Sequence, residues 1–126
     1  MSDNKILLNS IVEAAVQKVK SKKETNNLNI FENIDTSIEV QANKNELLDT
    51  ISTLLNTSIN NCKNSINNKT NIYVSVYSKE NKNYILIEDN SLNAENIGIE
   101  ESSNIFKNIK IENTANGLKF KIEFNN

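Results

Sequence analysis

The sequence predicts an α+β protein, a two-layer sandwich whose mixed, mostly antiparallel sheet is covered on one face by helices. Two observations carry that expectation. Some segments repeat apolar residues every three or four positions, whereas others alternate with period two. The alternating segments also come in groups instead of being separated one by one by helices, which favours an α+β layout over a βαβ one.

The first periodic segment, "NKILLNSIVEAAVQKVKSKK", places Leu8, Ile11, Val12, Ala15, Val16 and Val19 on one stripe. It predicts a helix from about Asn4 to Lys22. Lysines 18, 20, 22 and 23 then fall in the last turn, opposite the negative end of the helix dipole, as a solvated terminus. Next, "NNLNIFEN" aligns Leu28, Ile30 and Asn33 as one strand, and "TSIEVQ" offers Ile38 and Val40 as another, joined through Ile34, Asp35 and Thr36.

The strongest helix begins after Asn43. Its amide oxygen can cap the free N–H three residues on, and Glu46 can return the bond. Leu47, Leu48, Ile51, Leu54, Leu55, Ser58, Ile59 and Cys62 continue as a broad stripe. "TNIYVSVYS" and "NYILIED" flank the turn "KENKN" and predict a hairpin over residues 71 to 89. A short helix is expected from Glu100 to Lys107. "NIKIEN" and "LKFKIEF" close the chain as a second hairpin, with Asn116-Gly117 suited to the positive φ angles of a tight turn.

The chain of 126 residues fits one domain, spanning 1–126, and at 6% aromatic content its core must come from Ile, Leu and Val. A formal charge of -2 gives no electrostatic reason to expect nucleic acid or a membrane surface. No apolar run approaches a membrane span, and Met1 does not open a charged-then-apolar leader. Cys62 is a single cysteine, so a reducing, cytoplasmic setting is the expectation. Histidine is absent, which removes imidazole general bases, phosphohistidine chemistry and imidazole metal ligands. Glycine occurs only at Gly98 and Gly117, so a Gly-rich phosphate cradle cannot be assembled.

In element order and in several stretches the chain resembles the catalytic, ATP-binding domain of sensor histidine kinases. That domain has the Bergerat-type fold shared with gyrase B and heat-shock chaperone ATPases. "NKNELLDTISTLLNTSINNC" is similar to the family segment containing "NLL.NAI". "NIYVSVYSKENKNYILIEDN" looks like the hairpin that leads into the "DNG.G" box. "NTANGLKFKIEF" is similar to the terminal "G.GT.F.I.LP" hairpin, with Gly117 and Phe120 in matching places.

The resemblance implies a vestigial nucleotide pocket at Asp89, Asn90 and Thr57. Asp89 stands where the family's acid hydrogen-bonds the adenine amino group, and Asn90 matches its neighbour. Thr57 stands where the family's magnesium-coordinating Asn belongs. Asn56 is one position away, a rotation of about 100° on the helix, and Asn60 and Asn61 lie about one turn further on. The two glycines of the box become Ser91 and Asn93, where a Cβ hinders close backbone approach. Before the terminal hairpin there is room for one short helix, so the ATP lid and the second Gly-rich box are expected to be missing.

With the magnesium amide and the lid gone, the resemblance implies a pseudo-enzyme: a non-catalytic, histidine kinase-like module for protein binding or regulation in bacterial signalling. Known pseudo-enzymes of this fold serve phosphorelays as docking platforms, but a relay role needs a histidine that this chain lacks. The expected partner is a protein, either a signalling protein or a second copy, and the first helix is one place for it to dock. No cofactor is expected, although adenine recognition by Asp89, as in a nucleotide-binding protein or weak ATPase, is the alternative. A purely structural small protein of a phage or mobile element is a third reading.

Other residues invite blander readings. Cys62 falls on the apolar stripe and reads as a buried structural thiol. Glu100 and Glu101 read as helix N-terminal acids rather than a metal pair. Tyr73 and Tyr77 share a strand face, with Tyr84 positioned to pair across the hairpin, as a structural cluster or a partner-binding face.

Overall fold

In the computed structural model, residues 4–22, 28–63, 69–91, 109–114 and 117–124 are described. Their order is β1 (Asn4–Leu7), α1 (Leu8–Lys22), β2 (Leu28–Ile34), β3 (Glu39–Ala42), α2 (Lys44–Lys63), β4 (Thr70–Lys79), β5 (Lys82–Asp89), β6 (Ile109–Asn113) and β7 (Leu118–Phe124). The sheet of five strands has the order β2-β4-β5-β7-β6, and β1 pairs with β3 in a separate two-stranded ribbon. Only the β2–β4 pairing is parallel among these; the others are antiparallel. The predicted α+β sandwich with a mixed, mostly antiparallel sheet is therefore what forms.

The core lies between the helices and one face of the sheet. Alternation in β4, β5 and β7 turns Ile72, Val74, Val76, Ile85, Ile87, Phe120 and Ile122 inward, all buried. The α1 stripe from Leu8 to Val19 and the α2 stripe from Leu47 to Cys62 meet them. Lys18 and Asp49 add an exposed ion pair of 3.6 Å between the helices, worth about 0–1 kcal/mol.

The first helix starts later than its periodicity suggested. Asn4–Leu7 is a strand, in register from Asn4↔Ala42 to Leu7↔Glu39. Leu8 N–H continues this ladder with a 2.9 Å bond to Ile38 O. A four-residue segment has too few positions to separate a period of two from one of 3.6, and pairing with β3 decided it.

In β2, Asn33 is out of phase with Leu28 and Ile30. The parallel register with β4 puts Leu28, Ile30 and Ile34 on the inner side, with Asn33 on the other and exposed. The connection to β3 turns on Asp35, whose Oδ1 accepts bonds from Ser37 N–H (2.9 Å) and Ser37 Oγ–H (2.6 Å).

At the start of α2 the predicted cap is present, with Glu46 N–H bonded to Asn43 Oδ1 at 3.0 Å. Glu46 is solvent-exposed and contributes no return bond, so the cap works through one arm. Asn43→Ala should lower stability by about 1 kcal/mol, measured as a shift in urea midpoint at unchanged slope.

The β4–β5 turn is a two-residue one, Glu80 and Asn81, with φ of 55° and 67°. Positive φ at both positions matches the right-handed twist of a hairpin, and Asn tolerates it readily. Ser78 Oγ–H bonds to Asn83 Oδ1 across its base. The second hairpin differs from expectation. Gly117 does not take a positive φ, and Asn116 lies outside the described residues. Instead Thr114 N–H bonds to Gly117 O at 2.7 Å, and Gly117 N–H to Thr114 Oγ1 at 3.0 Å. The predicted helix at Glu100–Lys107 lies outside the described residues, as do Asn93 and Gly98.

Candidate functional site

Asp89 ends β5 on the sheet face that packs against the helices, because it is in register with Ile72 and two positions beyond Ile87. It is 3% exposed. One oxygen, Oδ1, accepts three bonds: from Ser91 N–H at 3.0 Å, Ser91 Oγ–H at 2.6 Å and Leu118 N–H at 2.9 Å. The other oxygen, Oδ2, is buried and has no partner among the described residues. A buried carboxylate thus has one side fully committed to its own chain and one side free to accept.

The Ser91 bonds repeat the arrangement of the exposed β2–β3 turn, where Ser37 donates to Asp35 from the same two groups. Asp-x-Ser is a local turn unit, and here it closes the ends of both β2 and β5. At Asp89 the unit is buried and acquires a third donor from β7.

That donor explains Gly117. A Cβ there would lie 2.6 Å from Asp89 Oδ1 and 2.6 Å from Ser91 N. The terminal hairpin is pressed against the end of β5, and glycine is needed for close approach rather than for a left-handed turn. Sequence reasoning aligned Gly117 and Asp89 with separate motifs but missed that they touch.

Asn90 holds the adjacent corner. Its Oδ1 accepts from Asn71 N–H at 2.9 Å and from Cys62 Sγ–H at 3.2 Å, while its Nδ2–H donates to Lys69 O at 2.9 Å. One side chain therefore ties the end of α2 and the start of β4 to the end of β5.

Cys62 is buried as predicted, and its thiol is pushed up from an ordinary 9.0 to about 12, first by desolvation and then by the nearby Asp89 charge. The folded protein keeps this proton while the unfolded chain releases it above its ordinary value. The contribution to stability is complete below about pH 9 and is lost as pH rises toward 12. The urea midpoint of the wild type should fall more steeply between pH 8 and 10.5 than that of Cys62→Ala.

Thr57 is half-buried, and its hydroxyl donates to Thr53 O at 2.9 Å, back-bonding within α2. The structure brings Asp89 and Asn90 together at one strand end but supplies no direct contact from Thr57 to either among the described residues. Asn60 is exposed. Asn61 is buried, with Nδ2 unpartnered, and Asn56 Oδ1 is buried without a partner. Ser58 Oγ is also buried and unpartnered on the α2 stripe. These polar atoms inside an otherwise apolar helix face had no distinct signature in an Asn-rich sequence.

A magnesium site does not fit the position of Thr57, which offers a hydroxyl engaged with its own helix instead of a free amide oxygen. Among the described residues, no group of three His, Cys, Asp or Glu side chains could hold a metal. An adenine amino group fits better, since Asp89 Oδ2 is a buried acceptor in need of a donor. A cavity of about 480 Å³, lined by Lys5, Ser37, Glu39, Val40 and Gln41, lies on the β1–β3 ribbon and contains none of the three predicted site residues. No described helix is long and apolar enough to cross a membrane.

This architecture is the fold of the catalytic, ATP-binding domain of sensor histidine kinases. The structure of the catalytic domain of histidine kinase ThkA in a nucleotide-free form superposes with a TM-score of 0.82, covering 99% of this chain and 96% of that one at 14% identity. The mycobacterial sensor histidine kinase MprB gives 0.75 over 97% and 96% at 10% identity. The Acinetobacter baumannii histidine kinase AdeS gives 0.75 over 100% of this chain and 69% of its own at 13% identity. A further ThkA structure, in complex with the response regulator TrrA, superposes at 0.77, with this chain covering 41% of it at 16% identity. No protein-family model matches the sequence, and no curated protein matches it.

Proposed function

We propose that this chain is a non-catalytic, histidine kinase-like domain that serves as a protein-binding or regulatory module, in a bacterial signalling setting. The observation that carries this reading is the commitment of Asp89 Oδ1 to Ser91 and Leu118. An acid that reads a ligand in the related fold here clamps two strand ends. Thr57, bonded to Thr53 O, adds that the metal-holding amide has been replaced by a group serving its own helix. Without that amide the charge of a bound triphosphate is not offset through a bridging magnesium. The histidine kinase–response regulator complex ThkA–TrrA supports a signalling protein as the kind of partner, with self-association the other form.

Isothermal titration with ADP and ATP, with and without magnesium, tests the reading. No magnesium-dependent saturation is expected. Saturable magnesium-nucleotide binding that disappears in Asp89→Asn would overturn it.

The second reading is adenine recognition without catalysis, and Asp89 Oδ2 favours it as an orphan buried acceptor. It predicts magnesium-independent binding of adenosine and ADP with similar affinity, because the phosphates would add little. Equal heats for adenosine and for a pyrimidine nucleoside would remove it.

A further inference from the structure

We propose that the open face of the five-stranded sheet docks an acidic polypeptide segment of a partner protein, seating its apolar side chains on two aromatic stacks. This deepens the protein-binding reading and rests on it.

Both described helices pack on the other face, so register decides what this face presents. The residues opposite the core set are Phe31 in β2, Tyr73 and Tyr77 in β4, and Tyr84 and Leu86 in β5. Phe31 and Tyr73 sit side by side across the β2–β4 pair, with ring centroids 5.0 Å apart, and are 49% and 46% exposed. Tyr77 and Tyr84 stack at 5.1 Å across the hairpin. A solvated antiparallel face ordinarily carries polar residues outward. Tyr and Phe grouped on such a face match the composition of interface centres, where rigid rings bury area at low entropic cost.

Charge on the same face selects the partner. Alternation places Lys79, Lys82, Lys110, Lys119 and Lys121 on it, against Glu88, Glu112 and Glu123. The surplus is two positive charges on a chain whose formal total is -2. Glu112 and Glu123 are engaged by Lys119 at 3.2 Å and Lys82 at 3.1 Å. Lys121 lies 4.7 Å over the Tyr84 ring, which places a cation at the border of an aromatic stack. Carboxylates interspersed with apolar side chains complement that surface.

Single-stranded nucleic acid fits it less well. The rings are stacked on each other instead of lying open to bases, the face has no arginine, and a surplus of two charges neutralises few phosphates.

The test is an NMR titration of the labelled chain with a short synthetic peptide alternating glutamate with leucine and phenylalanine. A lysine-for-glutamate peptide and a short oligothymidylate serve as comparisons. Saturable shifts should map to Phe31, Tyr73, Tyr84 and Lys121, weaken as salt rises, and require the acidic peptide. Tyr73→Ser and Lys121→Glu should each weaken binding by about tenfold while leaving the thermal midpoint near that of the wild type. Scattered or absent shifts, equal response to the basic peptide, or tighter binding of oligothymidylate would overturn the proposal. A native partner that binds wild type and Tyr73→Ser equally overturns this surface but leaves the docking function standing. If no specific native partner is recovered and the acidic peptide also fails, both fall.

Discussion

Asp89→Ala should lower the unfolding free energy by about 3 kcal/mol, because it strands the buried donors Ser91 N–H, Ser91 Oγ–H and Leu118 N–H together. The effect exceeds an ordinary polar truncation because three donors lose a single acceptor, and one of them, Leu118 N–H, comes from a segment distant in sequence. Asp89→Asn separates structure from charge. Its amide oxygen can take the place of Oδ1 and keep the three donors satisfied, while the uncompensated Oδ2 charge disappears. Asn removes the buried charge but places its Nδ2 donors where Oδ2 has no partner, so it should lose about 1–2 kcal/mol, less than Ala. Urea denaturation of the three proteins at neutral pH checks this. Equal losses for Ala and Asn would show that the negative charge itself, not the acceptor geometry, holds the strand ends.

Gly117→Ala should lose about 2–3 kcal/mol although Ala is the smallest possible addition. The new methyl would fall 2.6 Å from both Asp89 Oδ1, which three hydrogen bonds hold in place, and the backbone Ser91 N. The β5–β7 junction would have to part, taking the Leu118 bond to Asp89 with it. Thermal denaturation followed by circular dichroism should show a lower midpoint with native-like strand and helix content. The double variant Gly117→Ala with Asp89→Ala should be less destabilised than the summed singles, since both break the same contact. Strict additivity would place the strain elsewhere.

Much of the architecture was legible because long segments repeat their apolar residues often enough to identify a period. The α2 stripe from Leu47 to Cys62 and the alternation of Ile72, Val74 and Val76 needed no partner to be read. Asn4–Leu7 was misread because its strand character comes from pairing with β3, which local sequence does not express. Asn33 was misplaced for a related reason: a half-exposed edge strand has a weak pattern, and the parallel register with β4 sets its phase. The candidate site was legible as positions and not as roles. Asp89, Asn90 and Thr57 stood out by resemblance, yet their hydrogen bonds depend on Leu118, Lys69 and Thr53.

The sequence by itself determined the layers, the helix cap at Asn43, the buried thiol, the absence of histidine and the restriction of glycine to Gly98 and Gly117. Each is a property of residue type or short-range spacing. Tertiary structure alone decided that Asp89 spends one oxygen on its own chain and leaves the other without a partner. It also decided that Gly117 is a contact point and that Phe31 joins Tyr73 across the β2–β4 pair. The physical reason is the same in each case. These features arise where β7 or β2 meets a strand far away in sequence, and no local pattern encodes which donor, or which ring, will arrive.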